Sequence, residues 1–209
     1  CPDEGAVLGL QGLDTPLPDN GLPPDEVLST LDRLGSPATV ASAGGRYFGF
    51  VTGGALPAAL AANWLAGAWD QNAFSDTSSP AGARFDAVAA RWVLALLGLP
   101  PTSATAFVTG ATMANFTCLA AARGRQLSRL DWDVEAHGLF GAPQLDIVVG
   151  EEAHAVVYKA LGMLGLGRER VRVVPADAQG RLRPDSLGSL SPASIVCVQA
   201  GNVNLSLIH

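Results

Sequence analysis

Lysine is almost absent from this chain: Lys159 is the only one in 209 residues. Lysine and arginine together number 13 against 19 aspartates and glutamates, a formal net charge of −6. A chain so poor in basic residues has no clustered positive surface to neutralise the phosphates of a nucleic acid, which excludes that class of partner. Long apolar runs are missing too. The most apolar stretch, Ala55 to Trp69, carries Pro57 and Asn63, and it falls short of the ~18 uninterrupted apolar residues that a membrane-spanning helix needs. A soluble chain with no membrane partner is expected. Cysteine is scarce: Cys1, Cys118 and Cys197 are an odd number at no metal-like spacing. Two of them sit in apolar stretches, so buried free thiols in a reducing cytoplasm are expected rather than disulfides. No secretory signal is expected, no period repeats, and no tract is of low complexity.

What is present is enough for a core. The composition is 48% hydrophobic and 15% charged, which places the chain among folded globular proteins. It opens on Cys1 and stops shortly after Gly201-Asn202-Val203-Asn204; a fragment of a longer protein is expected, with residues 205–209 a non-native tail.

Residues 1–22 are rich in Gly, Pro and Asp and predict an extended arm. Pro24 and Asp25 suit a first helical turn, Val27, Leu28, Leu31 and Leu34 recur at helical spacing, and Gly35 with Pro37 ends that helix. The segment "RYFGFVTGGALP" concentrates Tyr47, Phe48 and Phe50 between glycines. It is either a hydrophobic turn or a place where backbone and rings approach a ligand. A helix from Pro57 to about Trp69, apolar all round, predicts burial. A second, opened by Pro80, aligns Phe85, Val88, Trp92 and Leu96 on one stripe and ends at Gly98.

From Thr102 onward strands and helices alternate. "ATAFVTG", "LDIVVG", "RVRVVPA" and "SIVCVQAG" are strand-like; "ATMANFTCLAAARGRQLSRL" and "AHAVVYKALGML" are helical, and "RPDSLGSL" is a short helix. Near-continuous apolar strands alternating with helices predict an α/β domain, a mainly parallel sheet with helices on both faces. Ligands of such sheets gather at the carboxyl ends of the strands, which directs attention to the residues after Val108, Val149 and Val198.

Three constellations stand there. At "VTGATMANFT" a strand-like stretch ends in Thr109-Gly110 and a helix begins at Ala111-Thr112. Free backbone N–H groups and the positive end of the helix dipole make this an anion site, with the Thr112 hydroxyl as a further donor. Thr112 reads equally well as a plain helix cap. At "VVGEEAHAVVYKA", Glu151, Glu152 and His154 lie between strand and helix. His154 suits acid–base work, ring stacking or simple capping, and metal binding is the poorest choice because no second ligand stands at a suitable spacing. Lys159 lies more than a turn into that helix and reads as a solvated residue. At "QAGNVN", Gly201 and Asn202 form a small polar turn suited to hydrogen-bonding a ring substituent.

Taken together, "RYFGFVTGGALP", "SSPAGARFD", "FVTGATMANFTCLAAAR", "EEAHAVVYKALGMLGL" and "VQAGNVN" resemble the group II pyridoxal-phosphate-dependent decarboxylases, the family of the aromatic amino-acid and glutamate decarboxylases. The likeness runs from about Tyr47 to Asn204. It implies the large domain of a fold-type I pyridoxal-phosphate enzyme, truncated: an arm and short helix over 1–45, then the N-terminal part of the cofactor-binding domain over 46–204. It implies that Ala111 and Thr112 bind the phosphate of pyridoxal 5'-phosphate, that His154 stacks on its ring as the catalytic histidine, and that Asn202 stands near the ring where the family has threonine. Phe48 and Phe50 resemble residues that line the substrate pocket, often from the neighbouring subunit of a homodimer. Gly44-Gly45 replaces the family's usual His-Pro, and Thr112 its usual serine, changes that bear on substrate choice. The family's ring-nitrogen aspartate and cofactor-linking lysine would lie beyond Asn204, so the chain alone is expected to be inactive. The function implied is decarboxylation of an amino acid. Two other functions stand beside it: another fold-type I pyridoxal-phosphate lyase or aminotransferase, and a non-catalytic α/β domain that binds phosphate or a nucleotide at Ala111-Thr112.

Overall fold

The computed structural model describes residues 2–50 and 52–201. The chain divides into two compact units, Cys1–Arg84 and Phe85–His209.

In the first unit, α1 (Glu4–Gly9) forms where the sequence predicts an extended arm. The cause is local: the Asp3 carboxylate accepts from the Ala6 N–H at 2.7 Å and satisfies a donor that would otherwise be lost at the helix start. A 3₁₀ turn (Leu10–Leu13) follows and lies against the end of α2 (Pro24–Gly35). α2 has Pro24, Asp25 and Glu26 in its first turn and Arg33 in its last, which matches the helix dipole at both ends. α3 (Pro57–Trp69) forms as expected but buries none of its residues, and Trp64 is 67% exposed. Its apolar side chains are spread around the axis, and no described element of this unit packs extensively over them.

α4 (Pro80–Leu96) starts at a well-built corner. Ser79 is fully buried, and its hydroxyl accepts from the Gly82 N–H at 3.2 Å. A Cβ on Gly82 would lie 2.9 Å from that hydroxyl, so only glycine fits at this position of "SSPAGARFD". Farther along, the stripe expected to face a core does not: Phe85, Trp92 and Leu96 are largely exposed and Leu94 is the buried residue of the helix.

The second unit carries the sheet. α5 (Ala111–Ser128), α6 (Val134–His137), β1 (Asp146–Gly150), α7 (Ala155–Met163), β2 (Val171–Val174) and β3 (Ser194–Cys197) follow in order. The strands pair in the order β2-β1-β3. Both pairings are parallel, with Ile147 opposite Val171 on one side and Ile195 on the other. The mainly parallel α/β arrangement is thus the one the alternating pattern predicts. "ATAFVTG" does not join it: residues 103–108 have no ladder partner among the described residues, and without a partner the backbone is not a strand.

Alternation along each strand separates two faces. Ile147, Val149, Val171, Ile195 and Cys197 turn to a core built with Leu119 and Leu127 of α5 and Ala160 and Leu161 of α7. Leu127, Val149, Ala160 and Leu161 are completely buried, and each leucine contributes roughly 2 kcal/mol of hydrophobic stabilisation. α7 ends in a left-handed Gly165 (φ 71°), with Leu166 N–H bonded back to Leu161 carbonyl at 3.0 Å, a Schellman closure that turns the chain toward β2. The other face meets residues 182–189, which include the short 3₁₀ turn Pro184–Ser186: Leu182 packs on Gly150, and the Arg172 guanidinium donates to the Leu187 carbonyl. No helix among the described residues is long and apolar enough to cross a membrane.

One polar clasp joins all three strands on this second face. Asp146 of β1 accepts from Arg172 of β2 at 2.9 Å and from the Ser194 hydroxyl of β3 at 2.7 Å. The Arg172 guanidinium, then Ser194, hold the Asp146 carboxyl below its ordinary range. A carboxyl with a depressed folded pKa stabilises above its unfolded pKa of about 3.9 and loses that contribution as pH falls through the lower folded value. Both partners are about one-third exposed (36% and 35%), so solvent screens the pair and the contribution is of order 1 kcal/mol or less. Asp146→Asn should therefore lower the urea midpoint at pH 6–7 modestly, and the difference should shrink as pH falls below the ordinary carboxylate range toward the lowered folded value. Urea titrations of both proteins across this range check the prediction.

Candidate functional site at the carboxyl ends of the strands

Because β1 lies between its partners, the chain leaves it toward β2 on one side while β3 pairs on the other. The gap beyond its carboxyl end is the place where open α/β sheets bind ligands. Two cavities open there. The larger, about 400 Å³, is bounded by Gly150, Glu151 and Glu152 after β1, by Gln179 and Arg181 in the loop after β2, and by Val198 and Gly201 after β3. The smaller, about 240 Å³, is lined by Asn115 of α5, by Ala153, His154 and Val157 at the start of α7, and by Cys197 to Ala200.

The two helices that reach this edge begin differently. α7 is capped by a side chain: His154 is its N-cap, and Nδ1 of the imidazole accepts from Val156 N–H at 3.2 Å. An accepting Nδ1 defines the tautomer with the proton on Nε2. Capping, one of the roles open to His154 in the sequence, is thus realised, and it fixes the ring while the residue lines the smaller cavity. α5 has no such help. Gly110 is its N-cap, and no side chain among the described residues bonds to the first-turn N–H groups. Thr112 is therefore not the cap but a first-turn residue. A Cβ built on Gly110 would meet nothing within 4 Å, so the backbone there is open to close approach. Free N–H donors, small side chains and a hydroxyl suit a phosphate dianion.

Asn115, one turn along α5, donates to the Ala111 carbonyl at 2.8 Å and lines the cavity shared with His154. The fold thus places His154 and the start of α5 at one edge of the sheet. Asn202 lies outside the described residues; its neighbour Gly201 lines the larger cavity. Phe48 and Phe50 belong to the first unit, where both are more than 90% exposed (92% and 95%). Phe50 takes a left-handed backbone (φ 55°), a conformation that non-glycine residues adopt at some energetic cost.

The sequence passed over Gln199. Its carbonyl oxygen accepts from the His154 N–H at 3.1 Å, and its amide donates to the Gly201 carbonyl at 2.8 Å. Only its position two residues past an apolar strand could have marked it. Glu151 likewise braces the site, accepting from Ala176 N–H at 2.9 Å. Lys159 is exposed, as its place in the helix suggested. The cysteines depart from expectation in part. Cys118 is exposed on α5, because its position falls on the outer side of the helix. Cys197 is half-buried, and burial pushes its thiol up, so it stays protonated near neutrality rather than serving as a nucleophile. At the rim of the larger cavity, Asp177 accepts from the backbone and guanidinium of Arg181 and from Gln179 N–H. These bonds lower its pKa to about 2.

The fold and site define an α/β domain with an uncapped helix aimed at the carboxyl ends of a parallel sheet. Across residues 10–204 the chain matches the pyridoxal-dependent decarboxylase conserved domain, and it belongs to that family. Pyridoxal phosphate is the family's cofactor, in agreement with the resemblance in the sequence. The chain is 26% identical over 175 residues to an acidic amino acid decarboxylase of Xenopus tropicalis, covering 84% of this chain and 33% of that protein. It is 27% identical over 142 residues to the cysteine sulfinic acid decarboxylase of Rattus norvegicus, covering 68% and 28% respectively. The crystal structure of mouse CSAD superposes with a TM-score of 0.77 at 26% identity, over 88% of this chain and 38% of the mouse chain. The chain thus spans about a third of the length of the curated relatives it matches.

The His154 cap yields a direct test. Replacing it with alanine removes the acceptor for Val156 N–H and should cost about 1 kcal/mol of stability, whereas asparagine, a good N-cap, should recover most of that loss. Thermal unfolding of the two variants beside the parent protein checks the order.

Proposed function

We propose that this chain forms the phosphate-anchoring part of a pyridoxal-phosphate-dependent amino-acid carboxy-lyase, an enzyme that acts as a homodimer in the cytoplasm. The observation that carries the reading is the uncapped start of α5 at the same sheet edge as the His154 cavity. In this reading the N–H groups of Ala111 and Thr112 and the Thr112 hydroxyl hold the phosphate. His154 lays its ring, held by its bond to Val156, against the pyridine. Asn202, which follows Gly201 in sequence, hydrogen-bonds a ring substituent. When bound, the cofactor supplies an electron sink for the pair left behind by a departing carboxylate. The part of these residues is to anchor and orient, because bond choice depends on which substituent stands perpendicular to the ring. Phe48 and Phe50, exposed in the single chain, select the substrate side chain, and the apolar surface of α3 supports burial against a second subunit.

Charge-assisted bonds to a phosphate are each worth roughly 1.5–3 kcal/mol. In the full-length protein Thr112→Ala should therefore weaken pyridoxal-phosphate binding by roughly 10- to 100-fold, as read by absorbance titration. His154→Asn keeps the cap but removes the ring, so it should lower turnover while thermal stability holds. Supplying amino acids should release CO₂. Transfer of the amino group without CO₂ release would point to an aminotransferase, and nucleotide binding without a borohydride-sensitive absorbance band would point to a non-catalytic domain.

A further inference from the structure

We propose that Gln199 is a positioning residue for the cofactor: one side-chain amide sets the distance between the stacking histidine and the segment after β3 that ends at Gly201. The inference rests on the cofactor reading of His154 given above. Gln199 reaches across 45 residues of sequence to accept from His154 N–H at 3.1 Å, while its NH₂ donates to the Gly201 carbonyl at 2.8 Å. These are the two loops that leave adjacent parallel strands, β1 and β3, and no ladder bond continues between them beyond Val149 and Cys197. Gln199 takes up the coupling where the sheet stops. Its two ends need opposite chemistry, an acceptor for His154 and a donor for Gly201, which an amide supplies and a carboxylate or a hydrocarbon does not.

The histidine is thereby fixed twice. Its backbone is tied to β3 by Gln199, and its ring is tied to α7 by the Nδ1 bond to Val156. Losing the first tie frees the loop before α7 to shift the whole residue, ring included, while the cap moves with it. Gln199 and His154 both line the smaller cavity, so such a shift changes the space a ring would occupy. Gln199 is exposed, so water competes for both bonds. The effect on binding is accordingly that of one or two ordinary hydrogen bonds, about three- to ten-fold.

The test compares Gln199→Met, Gln199→Glu and His154→Asn in the full-length protein by two measurements. These are amide hydrogen exchange at His154 without cofactor and pyridoxal-phosphate affinity by titration. Methionine preserves length but removes both bonds: exchange at His154 should quicken and affinity should fall about three- to ten-fold. Glutamate keeps the acceptor and loses the donor, so exchange should stay near that of the parent while affinity falls by less. If Gln199→Met does not fold, the glutamate variant decides alone: parent-like exchange with weakened affinity supports the proposal. Unchanged affinity in every Gln199 variant that folds overturns it, as does unchanged exchange in the methionine variant. His154→Asn keeps the two failures apart. If that variant binds the cofactor as tightly as the parent, the stacking reading is what fails.

Discussion

β1 has a partner on each side, and the rest of the second unit depends on that placement. A strand paired on both edges leaves no free ladder along its length, so its side chains must be covered from above and below. Val148 and Val149 are accordingly buried completely. α5 and α7 cover one face and residues 182–189 the other. The same placement makes the carboxyl end of β1 the point from which the chain departs in one direction while its neighbour on the other side arrives from elsewhere. The cavities at this end are therefore a product of strand order.

Onto that gap the fold directs two helix starts, both positive ends of helix dipoles, of which one is capped and the other is not. At α7 the imidazole of His154 satisfies one first-turn donor, so part of the positive end of that helix is spent internally. At α5 no side chain among the described residues does so, and the positive end stays available. A cofactor with a dianionic phosphate at one end and a flat aromatic ring at the other suits such a pair: the free donors take the charge and the capped histidine offers a fixed surface. His154 illustrates that capping and stacking are compatible, since one uses the edge of the imidazole and the other its face.

Much of this was legible in the sequence because it is local. "LDIVVG", "RVRVVPA" and "SIVCV" are apolar runs bounded by turn residues, and they pair as parallel strands. Gly110 stands before a helix start where expected. The features that escaped are those decided by partners distant in sequence. "ATAFVTG" has the composition of a strand, but a strand is defined by its neighbour. The all-apolar α3 and the stripe on α4 read as core, yet composition says only that a surface is hydrophobic and not what lies against it. Gln199 bonds to a residue 45 positions away through a side chain common in any loop. α1 was missed for the opposite reason, a single Asp3 cap outweighing a glycine-rich neighbourhood.

The loop after β2 has a consequence for how the larger cavity responds to acid. Asp177 ties that loop to Arg181 and Gln179, and its pKa is lowered to about 2. A depressed folded value means that this tie is fully made above the ordinary carboxylate pKa of about 3.9 and lost only as pH falls through about 2. The Asp177 tie within this loop therefore persists at neutral and mildly acidic pH. A ligand entering there meets a loop whose Asp177 brace is already made at neutral pH, so a pH-dependent affinity near neutrality would report on groups other than Asp177.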